Sequence, residues 1–156
     1  MHKLVSLAAL LFTTAICYCQ DQPETTALNR ITLNRKDTIY QFFVQKVPEK
    51  FKLQLDQDYF WFAPDTILMT KGAYDGKLLH GSYKVFYPNK NLKEEGYFEH
   101  GLRTGLWRTW TIEGRMTAMT NWVKGKKEGP FTEFGPEGNI LNSGVYKDGK
   151  ILSPNN

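Results

Sequence analysis

The chain has almost no cysteine. Cys17 and Cys19 are the only two among 156 residues, and both fall in the first twenty. Histidine is nearly as scarce, with only His2, His80 and His100. A thiolate metal cage or a thiol nucleophile needs cysteines in the folded part of a chain. His80 and His100 lack the i, i+4 spacing of an HExxH zinc pair. Ser82, Ser143 and Ser153 have no histidine or lysine at the spacing of a nucleophile and its base. A glycine-rich phosphate loop opening a helix is missing as well. No catalytic residue, no metal site and no cofactor is therefore expected, and the protein reads as a non-enzyme. Strong charge is absent too: 20 basic against 16 acidic side chains leave a net charge of +4. That balance is too mild to imply a nucleic-acid partner.

What is present begins with a leader. His2 and Lys3 precede a 13-residue apolar core at residues 4–16. This is shorter than the ~20 residues a membrane-spanning helix needs and has the form of a secretory signal. Cys17 and Cys19 occupy the −3 and −1 positions of a cut before Gln20. Lipidation of Cys17 or Cys19 is the alternative, although Ile16 and Tyr18 are not the small residues such anchoring prefers. After cleavage 137 residues remain without cysteine, enough for one domain. An exported protein without a transmembrane segment is expected, placed in the periplasm, on the outer envelope or outside the cell.

Residues 20–35 are polar and weakly patterned, which predicts a flexible linker. Residues 38–47 (TIYQFFVQKV) are rich in strand formers, and residues 51–55 (FKLQL) alternate apolar with polar. Together residues 36–58 predict a short N-terminal β cap, since the first unit of a stacked array needs its edge covered.

From Tyr59 onward one unit recurs at a spacing of 24. Gly101, Gly125 and Gly149 correspond, as do Gly105 and Gly129, then Gly114 and Gly138. Trp107 matches Phe131, Trp110 matches Phe134, and Trp122 matches Tyr146. One period upstream lie Tyr83, Phe86, Leu92 and Gly96, and before them a worn copy with Tyr59, Phe62, Leu68 and Gly72. A period of this length signals a modular array. Gly114 and Gly138 sit in the turns that close each hairpin. Gly76, Gly101, Gly125 and Gly149 sit in the links between copies, where residue–Gly pairs mark tight reversals. The fold class is all-β.

The strings DGKLLHGSYKVFYPNKNLKEEGYFEHGLRTGLWRTW and WVKGKKEGPFTEFGPEGNI resemble the MORN-repeat family, and within it the bacterial YwqK-type antitoxin-repeat branch. The resemblance runs over residues 59–156. It implies antiparallel β-hairpins stacked into one elongated, twisted sheet, and the branch name implies binding of a toxic partner. It carries no shared catalytic residue, and export sits awkwardly with neutralising a toxin inside the cell.

Sixteen of the twenty aromatic residues after the leader lie between Tyr59 and Tyr146. Stacked hairpins would align Tyr83, Trp107 and Phe131 in one ladder and Phe86, Trp110 and Phe134 in another. A thin sheet without a second layer would use such rings as its core. Residues three apart on a regular strand point to opposite faces, so unless a bulge intervenes one ladder is expected to face solvent. Tyr83, Phe86, Trp107, Trp110, Trp122 and Phe134 are the binding-surface candidates, with Trp110 and Trp122 the expected exposed pair. The partner is expected to be another protein. The alternative is a glycan or cell-envelope surface that stacks on exposed rings.

Overall fold

The computed structural model describes residues 28–47 and 50–152. The expected leader and the first half of the expected linker lie outside the described residues. Within them the chain forms eleven strands and no helix: β1 (Leu28–Asn34), β2 (Ile39–Gln45), β3 (Asp58–Ala63), β4 (Thr66–Lys71), β5 (Lys77–Phe86), β6 (Leu92–Glu99), β7 (Leu102–Trp110), β8 (Met116–Val123), β9 (Lys126–Phe134), β10 (Ile140–Lys147) and β11 (Lys150–Ile151). Every pairing is antiparallel. The main order is β1-β2-β5-β6-β7-β8-β9-β10-β11, an open sheet of sequential neighbours broken once between β2 and β5.

The turns follow from local chemistry. Tyr87, Thr111 and Gly135 each donate a backbone N–H to the carbonyl four residues on, at Asn91, Arg115 and Asn139. Each also accepts from the residue three on, at Lys90, Gly114 and Gly138. The reversals at His100–Gly101, Lys124–Gly125 and Asp148–Gly149 hold both residues at positive φ, as a two-residue hairpin turn of matching twist requires.

Two expectations about the N-terminal part need correction. Leu28–Asn34, read as linker, is strand β1 and pairs with β2 along its whole length. Ile31 and Leu33 turn inward from it while Arg30 and Thr32 alternate outward, a period-two signal that polar neighbours obscured. Residues 51–55, read as a strand, form none. Phe51 instead packs beside Tyr59, Tyr74 and His100, with ring centres 6.1, 6.4 and 5.1 Å away.

The larger correction concerns the core. β3 and β4 leave the main path: β4 pairs only with β3, and β3 meets β5 only at Trp61–Leu78 and Phe62–Lys77. Both edges of β5 are already taken, by β2 and β6, over most of its length. The β3–β4 hairpin therefore lies across the face of the sheet. Phe60 packs 5.0 Å from Phe98 and Phe62 packs 5.4 Å from Phe42. The expected single thin layer is thus two layers over its N-terminal half. Between them lie Phe42, Val44, Leu79, Tyr83, Val85, Phe98 and Trp107, with Phe60, Phe62 and Ile67 pressed down from the hairpin. The hairpin's other side closes a smaller cluster of Tyr59, Trp61 and Leu78.

Glycine decides how the large rings lie. A Cβ on Gly96 would stand 2.3 Å from the Trp107 indole, and one on Gly144 would stand 2.9 Å from the Phe131 ring. Thr120 pairs across strands with both Trp107 and Phe131. Each ring has leaned away from the threonine onto the neighbour that lacks a side chain.

Candidate binding surface

The hairpin covers only part of the inner face. Beyond it, strand pairing lines up Phe98 with Arg103, Gly105 with Trp122, Trp122 with Lys127, and Gly129 with Tyr146. The result is a row in which cations alternate with rings. The Arg103 guanidinium stands 4.1 Å from the Trp107 ring centre, 5.2 Å from Trp122 and 5.3 Å from Phe60. The Lys127 ammonium stands 5.8 Å from the Trp122 ring centre and 4.9 Å from Tyr146, whose hydroxyl lies 3.4 Å away. Trp122 lies on β8, so the two cations reach it from the flanking strands on either side. Each such contact contributes about 0.5–2 kcal/mol, more where water is excluded.

Arg103 is held from below by Glu94 at 3.3 Å, both side chains being about three-quarters covered. Burial pushes the Glu94 carboxyl above its usual range, and Arg103 only partly offsets this. Burial, and then the charge of Glu94, also keeps the Tyr83 phenol protonated far above its ordinary value. The Nε atom of Arg103 is buried without an acceptor among the described residues, so the guanidinium is anchored mainly by stacking and by this one carboxylate.

Above this row, between the hairpin and the sheet, a cleft of about 260 Å³ remains. Asp58, Phe60, Met69, Arg103, Trp122 and Gly125 line it. Met69 pairs with Phe60 and so shares its sheet-facing side, yet it is 56% exposed, at the cleft.

The candidates from the sequence divide between the faces. Tyr83 and Trp107 are buried, at 8% and 3% exposure, so they are core and not binding surface. Phe131 joins them at 4%. Phe86, Trp110 and Phe134 are half-buried along the border of the opposite face, next to the hairpin turns, where they pair with Leu92, Met116 and Ile140. Trp122 is half-buried and forms a wall of the cleft. Among the expected turn glycines, Gly101, Gly114, Gly125, Gly138 and Gly149 have φ between 77° and 86°. Gly76 does not take positive φ. It is needed because a Cβ there would meet the Phe62 carbonyl and the Trp61 ring at 2.5 Å.

Sequence reasoning passed over Arg103, Asp58 and Met69, and it named no binding role for Lys127. The recurrence of a cation at 103 and 127, next to rings at 98, 122 and 146, was the available signal. It also placed His80 and His100 far apart. Their rings lie 5.0 Å from each other, and the Nδ1 atom of His80 accepts from the backbone N–H of His100 at 3.3 Å. Among the described residues no group of three or more His, Cys, Asp or Glu side chains is placed to hold a metal ion. No described helix is long and apolar enough to cross a membrane.

No protein-family model, curated protein or solved structure matches the chain.

Proposed function

We propose that the protein is an exported, non-enzymatic repeat protein of the MORN type, in which stacked hairpins with a 24-residue period present a sheet face to another protein. The period is supported by the turn hydrogen bonds at 87–91, 111–115 and 135–139, and by the amides of Gly101, Gly125 and Gly149 bonding the carbonyls of Leu79, Arg103 and Lys127. The β1–β2 pair acts as the N-terminal cap, because it covers the edge of β5 that no earlier in-line hairpin fills. The leader at residues 4–16 supports export.

The observation that carries the choice of partner is the row of stacked cations. A sugar binds a tryptophan through the free face of its ring, and Arg103 and Lys127 already stand over Trp122. An aromatic and arginine surface of this kind suits a protein contact. The antitoxin role is the narrower form of the same reading, with an envelope toxin as its target.

In-cell crosslinking of the tagged chain, followed by mass spectrometry of the envelope fraction, tests the proposal. One reproducible attached protein is the expected result. Retention on cell-wall material without any protein partner, lost in Trp110→Ala, would assign the Phe86–Trp110–Phe134 border to glycan binding and overturn it.

A further inference from the structure

The face of the sheet turned away from the hairpin holds a hollow of about 220 Å³ where β1, β2 and β5 meet. Arg30, Gln41, Phe43, Ser82 and Lys84 line it. Its origin is a register shift. Phe42 pairs with Tyr83 and Val44 with Leu79, so β5 carries two extra residues against β2 between those pairs. Gly81 lies in this bulge at a φ of 96°, and a Cβ there would stand 3.2 Å from Leu28 and 3.4 Å from Phe43. The bulge opens the ladder beside Phe43 and leaves Ser82 and Lys84 along one wall.

The lining offers hydrogen-bond donors and no acid. An Arg30 Nη2 atom donates to the Gln41 Oε1 atom at 3.1 Å, so that amide oxygen is engaged and its NH2 end remains to donate. Ser82 adds a hydroxyl and Lys84 an ammonium. Among the described residues neither Arg30 nor Lys84 forms an ion pair. Glu95 stands opposite Lys84 in the ladder, but its carboxylate is bonded to Arg108 at 3.0 Å. Two positive charges and two neutral donors, carried on three strands, surround one space.

We propose that this hollow binds the phosphate group of a soluble phosphate monoester whose organic part rests on the Phe43 ring. A lining of donors selects an oxyanion. Donors arriving from three strands select phosphate over carboxylate. A carboxylate has two oxygens in one plane, whereas a phosphate monoester offers three outward oxygens and up to two negative charges. Arg30 supplies a planar fork from β1, and Lys84 supplies a point charge from the other flank of β2. The space is larger than a phosphate, and half-buried Phe43 gives the rest of the ligand an apolar surface. The site lies on the opposite face from the Trp122 cleft, so it stands independently of the protein-binding reading.

The test is titration of the full chain with phenyl phosphate, followed through the amide NMR shifts of Gln41, Phe43 and Ser82. Saturable shifts confined to β1, β2 and β5 are expected. Affinity should rise from about pH 5 to pH 7, as the phosphate takes its second charge. Arg30→Gln and Lys84→Gln should each weaken binding by roughly tenfold or more. Lys150→Gln, on β11 at the opposite edge of the sheet, should leave it unchanged. All three cations are exposed, so the circular dichroism should not change. Phe43→Leu should weaken binding of phenyl phosphate and not of inorganic phosphate.

No saturable shift, equal affinity for benzoate, or binding indifferent to both Arg30→Gln and Lys84→Gln would overturn the proposal. So would retention on phosphatidic-acid vesicles that phenyl phosphate fails to compete away, because it would assign this corner to a membrane surface.

Discussion

Replacing Gly96 with alanine separates packing from backbone as the reason for a glycine. Gly96 does not take positive φ, so alanine meets no conformational penalty there. Its new Cβ would lie 2.3 Å from two indole atoms of Trp107. Ordinary contact requires more than a further ångström. The indole is held by Tyr83 at 5.6 Å, Phe98 at 5.0 Å, Arg103 at 4.1 Å and a hydrogen bond from its Nε1 to the Thr104 carbonyl at 3.2 Å. Overpacking of this kind costs about 1–3 kcal/mol, and loss of the indole hydrogen bond adds about 1 kcal/mol. The reduced entropy of the unfolded chain returns roughly 0.4–1 kcal/mol. The expected net loss is about 1–3.5 kcal/mol, and at about 3 °C per kcal/mol for a domain of this size the melting temperature falls by roughly 3–10 °C. Gly105→Ala is the contrast, with open space around the Cβ but a φ of 68°. Its cost, about 1–2 kcal/mol, comes from the backbone alone. Urea unfolding of Gly96→Ala in the parent and in Trp107→Leu closes a double-mutant cycle. An equal loss in both backgrounds would refute the assignment of Trp107 as the obstacle.

Gly114→Val should cost about 1–3 kcal/mol, because a β-branched residue must take a φ of 86° in a turn with space to spare; an unchanged melting temperature would contradict this. Arg103→Lys keeps the charge but loses the planar stack on Phe60, Trp107 and Trp122, and should lower stability by about 1–2 kcal/mol in urea unfolding. Glu94 has a folded pKa above its ordinary 4.5, so its contribution to stability is fully present at low pH and is lost as pH rises through the raised value. The stability of Glu94→Gln relative to the parent should therefore increase with pH above 4.5, as read from unfolding midpoints between pH 4 and 8. Glu128 behaves oppositely. The Asp148 backbone N–H and then Lys147 hold its carboxyl below the usual range, so its contribution is lost as pH falls through that lowered value. Glu128→Gln should flatten the acid side of the profile.

The β3–β4 hairpin shows where sequence reading stopped. Tyr59, Phe62, Leu68 and Gly72 fall one period before Tyr83, Phe86, Leu92 and Gly96, and that correspondence predicts one more hairpin in line. The hairpin does form, but Tyr59 is buried at 1% in a cluster off the main path. Nothing in a repeat says whether a copy continues a sheet or folds back over it. The choice depends on residues far along the chain: Phe98 and Arg103 receive Phe60, and Phe42 receives Phe62. The same limit applied to Trp107 and Trp122. Both are tryptophans at repeat positions, yet one is core and the other walls a cleft, because the hairpin reaches only as far as β7.

The sequence alone determined what local chemistry controls: an all-β chain, the hairpin turns around Gly114 and Gly138, and the positive φ of Gly101, Gly114, Gly125, Gly138 and Gly149. Those follow from steric limits on φ and from period-two alternation, which act over a few residues. The tertiary structure decided the second layer, the leaning of Trp107 onto Gly96, and the stacking of Arg103 between Phe60 and Trp122. These arise where residues distant in the chain compete for the same volume, and no local pattern encodes the outcome.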